Sequence, residues 1–279
     1  MKTLYTFAVL GLCGLLSAQS PLDSVALDVA HHELLFSHTS VVKGRNAAFL
    51  EFFDDSCLIL DPVPVLAKPV YRNLPPRKFI LTWRPSRVEI SSSGDFAYST
   101  GPWEIRPARL TDTAVSYGHY FSIWRNTKKG WKVLFDHGIS YSAAEVKQEG
   151  FTYLVPVGIP KKDVKNMKKE LVAAEEKFRT AITRGSAVSA YEQFAANNIL
   201  LQRGGKYPFN GKRSAVDEVA NDRRPDRFSS DESTVSSTGD LGYSYGISVT
   251  AEKDTSNYIR VWRYENEWKI AVDIVNSIH

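Results

Sequence analysis

Apolar residues recur at helical spacing in two stretches of the chain. Met167, Leu171, Ala174, Phe178 and Ile182 fall on one face of a 3.6-residue repeat, and Val25, Val29, His32 and Phe36 trace a similar stripe near the start. Each stretch predicts an amphipathic helix. Gly44 and Gly185 lie just past these helices, where glycine suits a left-handed cap. A short second helix is expected after each, around residues 47–53 and 188–195. The pattern then changes to β-like runs divided by turn residues. Gly94-Asp95 and Gly239-Asp240 read as hairpin turns, and residues 126–130 and 264–266 as the turns of a last hairpin in each half. Residues 150–165, rich in Gly, Pro and Lys, read as a linker.

The two halves match in order and in residue type. Residues 92–101 resemble residues 237–246, with Gly94 and Gly239 spaced by 145. Tyr120-Phe121-Ser122-Ile123-Trp124-Arg125 resembles Tyr258-Ile259-Arg260-Val261-Trp262-Arg263 at a spacing of 138, and residues 131–136 resemble residues 268–273 at 137. Upstream, Gly44 and Phe53 pair with Gly185 and Phe194. The spacing drifts only in loops, as two copies of one supersecondary unit would allow. The expected organisation is a leader over residues 1–18, a first domain over 22–140, a linker over 141–165 and a second domain over 166–279.

The leader is read from its own pattern. Lys2 is the only charge in the first 22 residues, and an apolar stretch over residues 7–16 is followed by Ser17 and Ala18. That stretch is too short to span a bilayer and reads as a secretory signal cleaved after Ala18. The mature chain is then exported, to the periplasm or the outside. Cys13 follows Leu12, whereas a lipidation site needs a small residue there. Removing the leader takes away Lys2 and Cys13, lowers the formal net charge from +4 to +3 and leaves Cys57 alone. One cysteine cannot form an internal disulfide, and Cys57, in an apolar run, reads as a buried inert thiol. The small positive excess is spread along the chain, so no nucleic-acid partner is expected. No later segment is apolar enough to cross a membrane.

Helix, helix, then a meander carries a recognisable set of residues in the first copy: Trp83, Gly94-Asp95, Tyr98, Gly101-Pro102-Trp103, Tyr120, Trp124-Arg125, Trp131-Lys132 and Asp136. The second copy has Gly246-Ile247-Ser248 in place of the Gly-Pro-Trp. This pattern resembles the nuclear transport factor two-like superfamily and, within it, the SnoaL-like group. The resemblance implies an α+β fold of two cone-shaped domains, each with N-terminal helices packed on a strongly curved antiparallel sheet around an apolar pocket. Relatives often pair sheet against sheet, so the two copies would form an intramolecular pseudo-dimer. The superfamily includes ketosteroid isomerases, scytalone dehydratases and polyketide cyclases beside non-catalytic association domains, so the fold does not name the function.

Asp136 and Asp273 occupy equivalent places late in the last strand. Strict alternation puts Asp136 with Lys132 and Leu134, opposite Trp131, Val133 and Phe135. If that face lines the cone, Asp136 is a candidate general base, since apolar walls raise a carboxyl pKa toward neutrality; otherwise it is a solvated strand-end residue. Trp83, Tyr98, Trp103 and Tyr120 are the candidate ligand wall of the first domain, and Phe228, Tyr243 and Asp273 that of the second. Trp124 and Trp131 recur as Trp262 and Trp268 and read as core. Either His119 or His137 could titrate near neutrality, although a lone strand histidine is more often a packed or exposed residue. His31 and His32 face different ways on their helix, and no His, Asp and Glu set has ligand spacing, so neither metal nor cofactor is expected. Arg223, Arg224 and Arg227 alternate with Asp222, Asp226 and Asp231 as a self-neutralising loop. The sequence supports an exported protein whose pockets bind a small apolar or aromatic molecule. The alternative is a cofactor-free proton-transfer enzyme, an isomerase, dehydratase or cyclase, with its base in the first domain.

Overall fold

The computed structural model describes residues 20–156 and 163–278. The expected leader with its cleavage site and Cys13, the linker residues Lys161 and Lys162, and the side chain of Asp231 lie outside the described residues.

Ser20 starts the first helix, α1 (Pro21–Lys43), through a reciprocal cap. Its hydroxyl accepts from the Asp23 amide at 3.2 Å and the Asp23 carboxylate accepts from the Ser20 amide at 2.7 Å. Gly44 alone separates α1 from α2 (Arg45–Phe52). The expected left-handed caps are not formed. Gly44 has φ +83° with an extended ψ of 156°, which turns the chain sharply, and Gly185 has φ −120°. After α2 come β1 (Phe53–Leu60), β2 (Pro64–Leu66), α3 (Ala67–Asn73), β3 (Ile80–Trp83), β4 (Arg87–Ile90), β5 (Phe96–Arg106), β6 (Ser116–Thr127), β7 (Gly130–Tyr141) and β8 (Thr152–Leu154). The second half runs α4 (Val164–Arg184), α5 (Ala187–Phe194), β9 (Ala195–Arg203), β10 (Phe209–Asn210), α6 (Lys212–Val219), β11 (Pro225–Val235), β12 (Leu241–Thr250), β13 (Thr255–Tyr264) and β14 (Trp268–Ile278).

The strands make two sheets. The first has the order β2-β1-β7-β6-β5-β4-β8, with β3 also on β5; the second has the order β10-β9-β14-β13-β12-β11. Neither is wholly antiparallel. The strand that leaves the helices runs parallel to the last long strand in both sheets, β1 with β7 and β9 with β14. The linker is not structureless either, because β8 adds to the edge of β4 in parallel.

One face of each sheet receives its own helices. Phe36, Phe49, Trp83, Trp124 and Trp131 are buried together on the first sheet, and Phe178, Phe194, Trp262 and Trp268 on the second. The other faces meet. Phe96, Phe121, Ile123, Phe135 and Ile139 share one buried cluster with Tyr243, Tyr245, Ile259, Val261 and Val272. The expectation of strongly curved sheets is corrected, for the sheets are not strongly curled. Each sheet instead presents a long apolar face to the other, and the two pack face to face.

A bulge decides which side Asp136 takes. In the β6–β7 pair Trp124 faces Val133 while the adjacent Ile123 faces Phe135, so Leu134 is the extra residue. Trp131 and Val133 pack on the helical side, whereas Leu134 and Phe135 both join the inter-sheet cluster. Alternation restarts after the bulge and returns Asp136 to the helical side, with Trp131 and Val133. The strict two-residue period placed it opposite them.

Candidate functional site

A cavity of about 380 Å³ lies between α2, α3 and the helical face of the first sheet. Phe49 and Tyr71 come from the helices, Trp83 and Trp103 from β3 and β5, Tyr120 from β6 and Asp136 from β7. Trp83 and Trp103 are paired across β3 and β5. Trp103 lies over Gly118, where any side chain would overlap the indole and the Ile139 carbonyl oxygen. Its own ring nitrogen donates to that carbonyl at 3.2 Å.

Asp136 is the carboxyl that the sheet gives to this wall, beside Asp61 from the loop after β1. It remains partly open, and the Ser122 hydroxyl donates to it at 3.1 Å. Burial, and after it the nearby charge of Glu33, hold its pKa well above the usual carboxylate range, while the Ser122 bond offsets part of the rise. Tyr120 has a buried hydroxyl that makes no hydrogen bond of good geometry, although the Ser99 hydroxyl is close. A donor left unpaired inside a protein costs free energy, so such a group is ready for a ligand atom.

Glu33, on α1, sits beneath this wall with no exposed surface. It accepts from the indole nitrogens of Trp83 at 2.5 Å and Trp124 at 2.9 Å, and from the Ser99 hydroxyl. Burial raises its pKa to about 7, against the lowering effect of those three bonds. The sequence reading missed Glu33. A signal was present: Glu33 follows Val29 by four and precedes Phe36 by three, and Glu175 stands in the same relation to Leu171 and Phe178. A carboxylate on the apolar stripe of both helices asks for buried partners.

The second half answers the same carboxylates differently. Glu175 accepts from the Trp262 indole at 3.0 Å and the Ser244 hydroxyl at 2.7 Å, as Glu33 does from Trp124 and Ser99. Arg260 stands where the first half has Ser122. It pairs with Glu175 at 2.6 Å and Asp273 at 2.7 Å. Arg179 adds a second cation to Glu175 at 2.7 Å, and Arg203 one to Asp273 at 3.0 Å. Burial pushes both carboxyls up, but the guanidiniums outweigh it and leave both below their ordinary values. Asp273 is therefore a fully buried member of an ion network and lines none of the cavities among the described residues, contrary to its expected place in a ligand wall.

The other expected site residues separate. Trp83, Trp103 and Tyr120 share the first cavity with Asp136. Tyr98 and Tyr243 do not line a cavity; both face the inter-sheet cluster, because their strands present that side to the opposing sheet. Tyr98 donates there to Glu89 at 2.8 Å. Phe228 lines a larger cavity of about 1120 Å³ in the second half, with Tyr191, Arg203 and Arg260. Arg223 is on its rim and pairs with Asp254, whereas Arg224 and Arg227 are exposed elsewhere, so the three arginines do not gather.

His137 is a packed residue and not a near-neutral titrating group. Burial lowers its pKa to about 4, and its Nε2 accepts from the Asn276 amide at 2.9 Å. His119 is buried between the halves, its Nδ1 2.8 Å from the Tyr141 hydroxyl and its Nε2 3.1 Å from Glu149 of the linker. Cys57 has no exposed surface, and burial raises its thiol pKa. Among the described residues no group of three or more His, Cys, Asp or Glu is gathered as a metal site, and no helix is long and apolar enough to cross a membrane.

No protein-family model matches the chain, and no curated protein matches it in sequence. Solved structures similar to it include an NTF2-like protein of unknown function from Silicibacter pomeroyi, 14% identical, covering 42% of this chain and 100% of that one at a TM-score of 0.34. A ketosteroid isomerase-like protein from Erwinia carotovora atroseptica is 15% identical over 40% of this chain and 96% of its own, at 0.34. A protein of unknown function with a cystatin-like fold from Nostoc punctiforme is 17% identical over 40% and 90%, at 0.33.

Proposed function

We propose that the chain is an exported, duplicated NTF2-like protein whose first unit binds a small neutral aromatic molecule carrying a hydrogen-bond acceptor. The observation that carries this reading is that Asp136 and Tyr120 both line a cavity whose wall is mainly aromatic and aliphatic, with Arg45 and Asp61 also on it. Trp83, Trp103 and Phe49 offer ring faces and edges for an aromatic ligand. Asp136 is biased toward its neutral acid, and the Tyr120 hydroxyl, beside that of Ser99, makes no hydrogen bond of good geometry, so we take both as donors to a ligand oxygen. The second unit supports the same reading by contrast. Arg260 there occupies the carboxylates that the first unit leaves unneutralised.

Isothermal titration with 2,6-dihydroxynaphthalene tests this. Saturable binding at one site is expected, weakened about fivefold or more by Trp103→Ala through loss of about 1 kcal/mol of ring contact. Absence of heat at millimolar probe would overturn the reading. Proton transfer next to a carbonyl is a second reading, favoured by the partly open carboxyl of Asp136. It is separated by Asp136→Asn, which keeps a donor for binding but abolishes a general base worth about 10²–10⁴ in rate. Turnover of an enolisable naphthyl ketone that vanishes in this variant would decide for catalysis.

A further inference from the structure

The two cavities are neighbours. Leu60, Asp61, His137, Gly138 and Ser140 line both of them. Asp61 and Ser140 are exposed, so this shared boundary reaches the surface as a rim rather than a closed partition. The chemistry on its two sides differs. On the first side are the indoles, with Asp136, Tyr120 and Arg45. On the second side the cavity is three times larger and its cations are already matched. Arg203 pairs with Asp222 at 3.0 Å, Lys206 with Glu218 at 2.5 Å, and Arg223 with Asp254. Arg260 is held by Glu175 and Asp273. No cation there is left to select an anion. Hydroxyls and amides remain, from Ser248, Thr255, Ser256, Asn257 and Ser277, beside the rings of Tyr191 and Phe228.

Asn257 gives the second side its most specific feature. Its amide donates to the Pro62 carbonyl, next to Asp61 of the rim, at 2.7 Å, which fixes the side chain. Its Oδ1 is left without a partner, buried in a residue that lines the cavity and is only 5% exposed, so a ligand hydroxyl reaches it by a small shift of the side chain. A fixed, unpartnered acceptor among hydroxyls, amides and ring faces suits a neutral polyol, whose hydroxyls donate and whose C–H faces lie on aromatic rings.

We propose that the protein takes a two-part ligand, an aromatic group in the first cavity joined across the rim to a sugar or similar polyol in the second. This rests on the reading of the first cavity given above. The test is isothermal titration of the full chain with 2,6-dihydroxynaphthalene and with its mono-β-D-glucoside. The glucoside is expected to bind at least tenfold more tightly than the free diol. Asn257→Ala and the milder Phe228→Leu are expected to remove most of that advantage while leaving the affinity for the diol unchanged, which also shows that the variants are folded. If the diol binds and the glucoside binds no better or is excluded, the two-part ligand is overturned and the first site stands. If neither binds, both fall. An advantage that survives both substitutions would also overturn the proposal, because the sugar would then lie outside the second cavity.

Discussion

Replacing Glu33 by glutamine changes how stability depends on pH, and the size of the change follows from its burial. Glu33 rises from the usual 4.5 to about 7 in the folded chain. At about 1.36 kcal/mol for each tenfold change in proton affinity, that difference is worth about 3 kcal/mol. The sign follows from which state holds the proton. Below pH 4.5 both states are protonated and the contribution is complete. Between 4.5 and 7 the folded chain keeps the proton while the unfolded chain has released it, so stability falls as pH rises. Above 7 both are ionised and the loss is finished. Glutamine has the same shape and does not titrate. It also removes the charge that raises Asp136, a change in the same direction. Its amide meets the Trp83 and Trp124 donors less well, but that cost does not vary with pH. Urea unfolding of both proteins from pH 4.5 to 8 measures the difference. Glu33→Gln should gain about 3 kcal/mol relative to the parent across this window. Two curves that stay parallel would refute the buried, raised carboxyl.

Further outcomes follow from the same contacts. Arg260→Met leaves Glu175 and Asp273 short of a cation in a buried network, and should cost about 3–5 kcal/mol in urea unfolding at pH 7. Ser122→Arg places in the first unit the cation that Arg260 supplies in the second; it should fill the cavity, pair with Asp136 and abolish binding of 2,6-dihydroxynaphthalene while circular dichroism stays unchanged. Cys57 should resist iodoacetamide at pH 8 in the native chain and react within minutes in urea, because it is buried and its thiol is held protonated.

The helices, the Gly-Asp turns and the tryptophan core were legible because each depends on local period and residue type. Phe178 and Trp262 pack together where their stripes place them. The side taken by Asp136 was not legible. It depends on one bulged residue, Leu134, and a bulge reverses the parity on which strand reasoning rests. Tyr98 and Tyr243 failed as pocket residues for a related reason. Alternation shows that two faces exist but not which one meets helices and which meets the other sheet. Glu33 and the Arg260 network escaped because a buried charge is explained by partners far along the chain, 91 residues away for Trp124 and 85 for Glu175.

The first cavity is proposed to hold an aromatic ligand by the donors of Asp136 and Tyr120. A crystal structure of the chain with 2,6-dihydroxynaphthalene tests it most directly. The account predicts the diol beside Trp83 and Trp103, with one oxygen within hydrogen-bond distance of both the Asp136 carboxyl and the Tyr120 hydroxyl. A cavity that stays empty at saturating diol, or a diol bound with its oxygens turned away from both residues, would contradict it.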